Sequence, residues 1–214
     1  MLDLFGDAER AARTELADGA VVLHGHALAA APMLLATVDA VARIAPFRHM
    51  RTPGGHVMSV AMTNCGNAGW VTDARGYRYA GIDPESGIAW PPMPDALAVF
   101  ACDAAAAGGF PAFASDACLI NRYEPSARMT LHQDKDEIDF AQPIVSVSLG
   151  LPARFAFGGL KRTDPVRRVT LTHGDVVVWG GPSRLAFHGI DALKPGVHAA
   201  TGGYRYNLTF RRAR

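Results

Sequence analysis

A mainly β architecture with flanking helices, best fitted by a two-sheet jelly roll, is what the sequence predicts. Two observations carry that expectation. From Ala117 onward, short alternating runs separated by turn residues follow one another at 117–124, 129–134, 144–151, 153–157, 168–172, 175–179, 185–190 and 204–211. Helical spacing is confined to the first half, at 28–44 and 95–107, where helices would cover one sheet from outside. With 214 residues, 49% of them apolar, the chain can bury a sizeable core as a single domain over 1–214.

Taken in order, residues 1–18 are charged and read as a frayed end or a short helix, and 20–24 as a strand. The first helix carries Leu34, Leu35, Val38 and Val41 at helical spacing, with Pro32 suited to its first turn and Pro46 stopping it. Residues 1–47 thus form an N-terminal extension and helix. Between 48 and 94 Gly and Pro recur, aromatics stand in polar company (Trp70, Tyr77, Tyr79, Trp90), and one alternating run occupies 56–63. Such a long, aromatic-bearing, loop-rich segment predicts a hairpin-bearing lid. A support segment, 95–116, opens with the second helix, which Gly108-Gly109 closes. Residues 117–214 are the expected jelly-roll core.

The formal net charge is +1, which gives no global argument for a polyanionic partner. Charge is uneven, however. Arg48, Arg51, Arg75 and Arg78 face only Asp73, and the last ten residues carry four arginines without an acid. Between them lie Asp134, Asp136, Glu137 and Asp139. Basic margins around an acidic centre suit an anionic substrate, and a solvated mixed surface accounts for them equally. Cys65, Cys102 and Cys118 lack C-x-x-C spacing, which argues against a disulfide framework or a zinc site. The N-terminus has no secretory pattern and no apolar run is long enough for a bilayer, so a cytoplasmic setting without membrane contact is expected.

Chemistry concentrates in two places. On the second core strand His132 and Asp134 lie two apart and would share a face, supplying an imidazole and a carboxylate. With the distant His188 they match the two-histidine, one-carboxylate facial triad of non-haem iron(II). Taken alone, each histidine is better explained by a hydrogen-bonded core or surface imidazole. On the last strand Arg205, Asn207, Thr209 and Arg211 alternate with Tyr206, Leu208 and Phe210. If the apolar set meets the helices, two arginines point into the sandwich and need anionic partners, which a dicarboxylate would supply. Asn121 and Tyr123 share a face and could add hydrogen bonds. An edge strand with solvated arginines is the competing explanation.

The segments NRYEPSARMTLHQDKDE, IVSVSLGLPARFAFGGLKR, HGDVVVWGGPSRLAFHGI and RYNLTFR, with TPGGHVMSVAMTNCGNAGW and GYRYAGIDP upstream, resemble the AlkB family of iron(II)/2-oxoglutarate-dependent oxygenases, bacterial alkylation-repair dioxygenases. The resemblance covers nearly the whole chain and is weakest over residues 1–45. It implies a double-stranded β-helix (jelly roll) in which His132, Asp134 and His188 bind iron(II). Asn121, Tyr123, Arg205, Asn207 and Arg211 would bind 2-oxoglutarate, and Trp70, Tyr77, Asp136 and Arg162 the substrate nucleotide. The implied reaction is oxidative demethylation of bases such as N1-methyladenine and N3-methylcytosine, with dioxygen as second co-substrate and formaldehyde as product. Single- or double-stranded DNA, or RNA, would be the partner of a monomer.

The residues agree with that implication. A base treated outside its stack must be held between flat groups, and Trp70 with the His132 ring offers two. Asp136 would share the strand face of His132 and Asp134, facing an exocyclic amine or a cationic methylated base, while Tyr77, Arg51 and Thr52 could touch phosphates. Trp70 as a lid core residue and Asp136 as a surface acid are the plainer alternatives. Two other functions stay open: an oxygenase acting on a small molecule or protein side chain, and a non-catalytic nucleic-acid-binding jelly roll.

Overall fold

The computed structural model describes residues 12–214. In chain order its elements are β1 (Arg13–Ala17), β2 (Ala20–Leu23), α1 (Ala31–Ile44), β3 (Ala61–Gly66), β4 (Gly69–Asp73), β5 (Gly76–Ala80) and α2 (Asp95–Ala107). There follow β6 (Ala117–Tyr123), β7 (Met129–His132), β8 (Ile144–Gly150), β9 (Ala153–Phe157), β10 (Arg167–Leu171), β11 (Val176–Trp179), β12 (His188–Ile190) and β13 (Arg205–Arg211). A seven-stranded sheet runs β1-β2-β11-β8-β13-β6-β3, a four-stranded sheet runs β10-β9-β12-β7, and β4-β5 form a separate hairpin. From β6 on, the chain shuttles between the two larger sheets, the path of a jelly-roll core.

Period two decides which side each residue serves. On β13, Leu208 and Phe210 are fully buried and join Leu34, Val38, Leu97 and Ala101 of the helices in one core cluster. Each such side chain contributes about 1.5–3 kcal/mol by leaving water. The alternate positions Arg205, Asn207, Thr209 and Arg211 line a cavity inside the sandwich, as their spacing predicts. On β11, Val176 and Val178 likewise face the helices, whereas Val177 and Trp179 join the interior cluster with Phe155 and Phe157. At Gly150, φ is +91° and a Cβ would collide with Thr201 and the Tyr204 carbonyl, so the β8–β9 corner accepts only glycine.

Several expectations need correction. Residues 13–17 form an edge strand paired with β2, Thr14 opposite Val22, rather than a frayed end or helix; residues 1–11 lie outside the described residues. That polar segment becomes a strand only because β2 offers it a ladder. Helix α1 begins at Ala31, three residues later than its spacing suggests, with Pro32 in its first turn. The expected lid over 48–94 is not one unit. Its Ala61–Gly66 stretch is wholly buried and completes the seven-stranded sheet against β6, Cys65 opposite Cys118. Only the aromatic hairpin β4–β5 and its flanking loops stand apart. Its root is tight: a Cβ at Gly69 would run into the Trp90 ring, which itself donates to the Ala80 carbonyl at 2.9 Å. Helix α2 spans the predicted residues. No helix among the described residues is long and apolar enough to cross a membrane.

Candidate active site

One cavity of about 480 Å³ opens between the sheets, and all twelve candidate residues line it: His132, Asp134, His188, Asn121, Tyr123, Arg205, Asn207, Arg211, Trp70, Tyr77, Asp136 and Arg162. Its centre is built by β7 and β12, where His132 and His188 stand opposite each other across the ladder with ring centroids 4.5 Å apart. Asp134 Oδ1 lies 3.7 Å from His132 Nε2, and Oδ2 lies 3.7 Å from His188 Nε2. The three ligand atoms fall within 4.8 Å of one another, a spacing that can hold a metal ion. Both imidazoles are oriented from behind. His132 Nδ1–H donates to the Thr130 carbonyl at 2.8 Å and His188 Nδ1–H to the Ala186 carbonyl at 3.0 Å. Carbonyls only accept, so each Nδ1 holds the proton and each Nε2 turns its lone pair to the centre.

Electrostatics keep His188 and Asp134 in their metal-binding forms. Burial pushes His188 down to about 4, helped by the neighbouring His132. Burial would raise Asp134, but the charge of Arg211, seconded by the histidines, outweighs it and holds the carboxyl well below the usual range. The sequence-based geometry is corrected here: β7 ends at His132, so Asp134 and Asp136 are not successive members of a strand face. Asp134 reaches the centre from an irregular segment instead.

Below the triad lies the floor. Arg205 is 1% exposed; its Nη2 donates to Ser148 Oγ at 2.9 Å and its guanidinium lies 4.9 Å from the Tyr123 ring, yet Nε and Nη1 have no hydrogen-bond partner among the described residues. Asn121 Oδ1 is also unpartnered, while Asn121 Nδ2 donates to Asn207 Oδ1 at 3.2 Å. A buried cation with two unused donors suits a carboxylate that enters with a co-substrate. Arg211 differs from the expectation of two free guanidiniums: its Nε and Nη2 both donate to Asp134 Oδ2, at 2.9 and 2.6 Å. Thr209 lines the cavity as the alternation of β13 predicts, and Ser146 does so too; a lone serine on an interior strand face carries no motif by which a sequence reveals it.

At the mouth Trp70 and Tyr77 stack across the β4–β5 hairpin, centroids 5.7 Å apart and planes 21° from parallel. Trp70 Nε1 donates to Asp136 Oδ2 at 2.8 Å, so this carboxylate orients the indole edge. Arg162 donates to the Leu131 carbonyl at 2.7 Å and lies over Phe187. Thr52 reaches the rim, whereas Arg51 bonds within its own turn to the Gly55 carbonyl and does not line the cavity. Asn64, unnoticed in the sequence, is fully buried on β3. Its amide donates to the Trp70 carbonyl at 3.1 Å and accepts from the Trp70 N–H at 3.0 Å, fixing the main chain beneath the indole.

A jelly roll that brings two imidazoles and one ionised carboxylate to a single point, with open cavity on the other side, defines a mononuclear non-haem iron site. Residues 19–211 match the family model described as the 2OG-Fe(II) oxygenase superfamily. The chain belongs to that superfamily, in the AlkB family of alpha-ketoglutarate-dependent dioxygenases. It is 58% identical over 213 residues to alpha-ketoglutarate-dependent dioxygenase AlkB of Escherichia coli K12, covering 100% of this chain and 98% of the relative. It is 34% identical over 127 residues to the nucleic acid dioxygenase ALKBH1 of Mus musculus, covering 59% of this chain and 32% of that protein. The solved structure of OsALKBH1 superposes with a TM-score of 0.82 at 29% identity, covering 94% of this chain and 99% of that one. Iron(II), 2-oxoglutarate and dioxygen are accordingly its cofactor and co-substrates, and the donor set fits them.

Proposed function

We propose that this protein is an oxidative demethylase of N-alkylated bases, such as N1-methyladenine and N3-methylcytosine, in single- or double-stranded DNA, or in RNA. One observation carries the reading: a single cavity runs from a buried, half-unpartnered guanidinium at its floor, past two imidazoles and a carboxylate, to stacked aromatics at its mouth. In this reading residues 1–214 are one oxygenase domain, and the protein works as a cytoplasmic monomer.

The residues divide the work by depth. His132, Asp134 and His188 hold the metal. Arg205 grips the distal carboxylate of 2-oxoglutarate, with Asn121, Tyr123 and Asn207 around it. Arg211 lies alongside, its guanidinium already committed to the metal-binding carboxylate. Bound there, iron(II) supplies with 2-oxoglutarate and dioxygen the oxidation of an N-methyl C–H bond, the co-substrate leaving as succinate and carbon dioxide. The N-hydroxymethyl product then sheds formaldehyde and the base nitrogen is restored.

Substrate selection falls to the mouth. A base acted on here must leave its stack, and one already barred from pairing by a methyl group leaves it at lower cost. Methylation at N1 of adenine or N3 of cytosine makes the base cationic, which suits the indole face of Trp70 and the Asp136 carboxylate. Thr52, Tyr77 and Arg162 position the strand. The test is formaldehyde release from a single-stranded oligonucleotide carrying N1-methyladenine, given iron(II) and 2-oxoglutarate. Tight iron binding with no formaldehyde from any methylated base would sink the substrate assignment.

A further inference from the structure

Strands position His132 and His188, but β7 stops before Asp134, and no ladder sets that side chain. A closed ring of buried polar groups takes over. Arg184 Nη1 donates to the Asp134 carbonyl at 2.9 Å, and its Nη2 to Glu137 Oε2 at 3.1 Å. Glu137 Oε1 accepts the Tyr79 hydroxyl at 2.7 Å, and that hydroxyl accepts from Arg211 Nη1 at 3.4 Å. Arg211 returns to the Asp134 carboxylate through Nε and Nη2. Asp134 is thus held at its main chain by one arginine and at its carboxylate by another, with Glu137 and Tyr79 joining the two.

The charges balance, two guanidiniums against two carboxylates, and these four charged side chains are at most 10% exposed. Burial keeps the Tyr79 hydroxyl protonated, well above its ordinary range, so it stays a donor. Tyr79, Glu137 and Arg184 do not line the cavity, so they meet neither base nor co-substrate there.

We propose that Glu137, clamped between Tyr79 and Arg184, is a positioning residue that orients Arg211 and the 133–139 segment and thereby aims the Asp134 carboxylate between the two imidazoles. Because Tyr79 stands on β5, the same ring ties the aromatic hairpin to that carboxylate. The inference rests on the metal-site reading above. Glu137→Gln would leave two buried guanidiniums facing one carboxylate. Arg211 would then draw harder on Asp134, and the new amide NH2 could not accept from its former donor. Both effects weaken metal binding.

Cobalt(II) titration of the full-length apoprotein, by calorimetry and by the visible d–d band, tests this beside thermal melts. Asp83→Asn is the control: it strips another shielded, arginine-paired carboxylate, bound to Arg48, that lies outside the cavity. The expected result is a cobalt Kd raised about tenfold or more in E137Q, with a shifted d–d band, and a smaller rise in Y79F, while D83N stays within about twofold despite melting earlier. Should E137Q not fold, Y79F carries the comparison. Unchanged cobalt affinity in E137Q and Y79F, or an equal loss in D83N, overturns the inference and leaves the metal site standing. A wild type that binds no cobalt overturns both.

Discussion

Replacing Arg205 with methionine separates a binding role from a structural one, because the two predict opposite signs in the free protein. Arg205 is buried with Nε and Nη1 unpartnered, and burial lowers its pKa against the opposing pull of Tyr123. In the 2-oxoglutarate complex its loss leaves a shielded carboxylate without its counter-charge, a change that costs about 2–5 kcal/mol. Asn121, Tyr123 and Asn207 still surround that carboxylate, so about 3 kcal/mol is expected, or about 150-fold weaker binding. Without co-substrate the sign reverses. Removing an unpaired buried cation while keeping much of its volume leaves stability unchanged or raises it by about 1 kcal/mol, about 2–4 °C in a domain of this size. Calorimetric titration of 2-oxoglutarate into the manganese(II)-loaded protein reads the first effect, and melts with and without co-substrate read the second. A variant that melts well below the wild type yet binds 2-oxoglutarate within about threefold would refute the reasoning.

Trp70→Ala should forfeit about 1–3 kcal/mol of base stacking, raising KM for a methylated oligonucleotide about 5- to 150-fold. Its 2-oxoglutarate affinity, set at the floor, should not move, and paired formaldehyde and succinate assays check both. Asn64→Ala strands the buried N–H and C=O of Trp70 and should cost about 3 kcal/mol in denaturant unfolding. Asp83→Asn should show a pH signature. Burial raises Asp83, but Arg48 and the Glu85 amide outweigh it and hold the carboxyl below its usual value. A depressed folded pKa stabilises fully above the unfolded value of about 3.9 and is lost as pH falls through the folded one. The melting gap between wild type and D83N should therefore be constant from about pH 8 to 5 and close below about pH 4. A gap that widens in acid would contradict that sign.

Local rules read well wherever the residue pattern and its environment coincide. Helix α2 was legible from Asp95 to Ala107 because its composition, its Gly-Gly stop and its buried face agree. The alternation of β13 correctly sent Leu208 and Phe210 to the helices and the arginines inward. Reading failed where long-range partners decide. The polar stretch 13–17 is a strand only through β2, and 61–66 is core rather than lid only through β6.

The sequence by itself put forward His132, Asp134 and His188 as candidate donors and set the facing of the strand that carries Arg205, since side-chain chemistry and period-two geometry are properties of the local chain. Only the tertiary structure decided that Arg211 is spent on Asp134, that Asp136 steadies Trp70, and that Glu137, Tyr79 and Arg184 close a ring behind the centre. Those pairings join residues as much as 132 positions apart, such as Arg211 and Tyr79. A shielded charge must find its counter-charge wherever the packing of two sheets happens to bring one, and no spacing rule along the chain encodes that meeting.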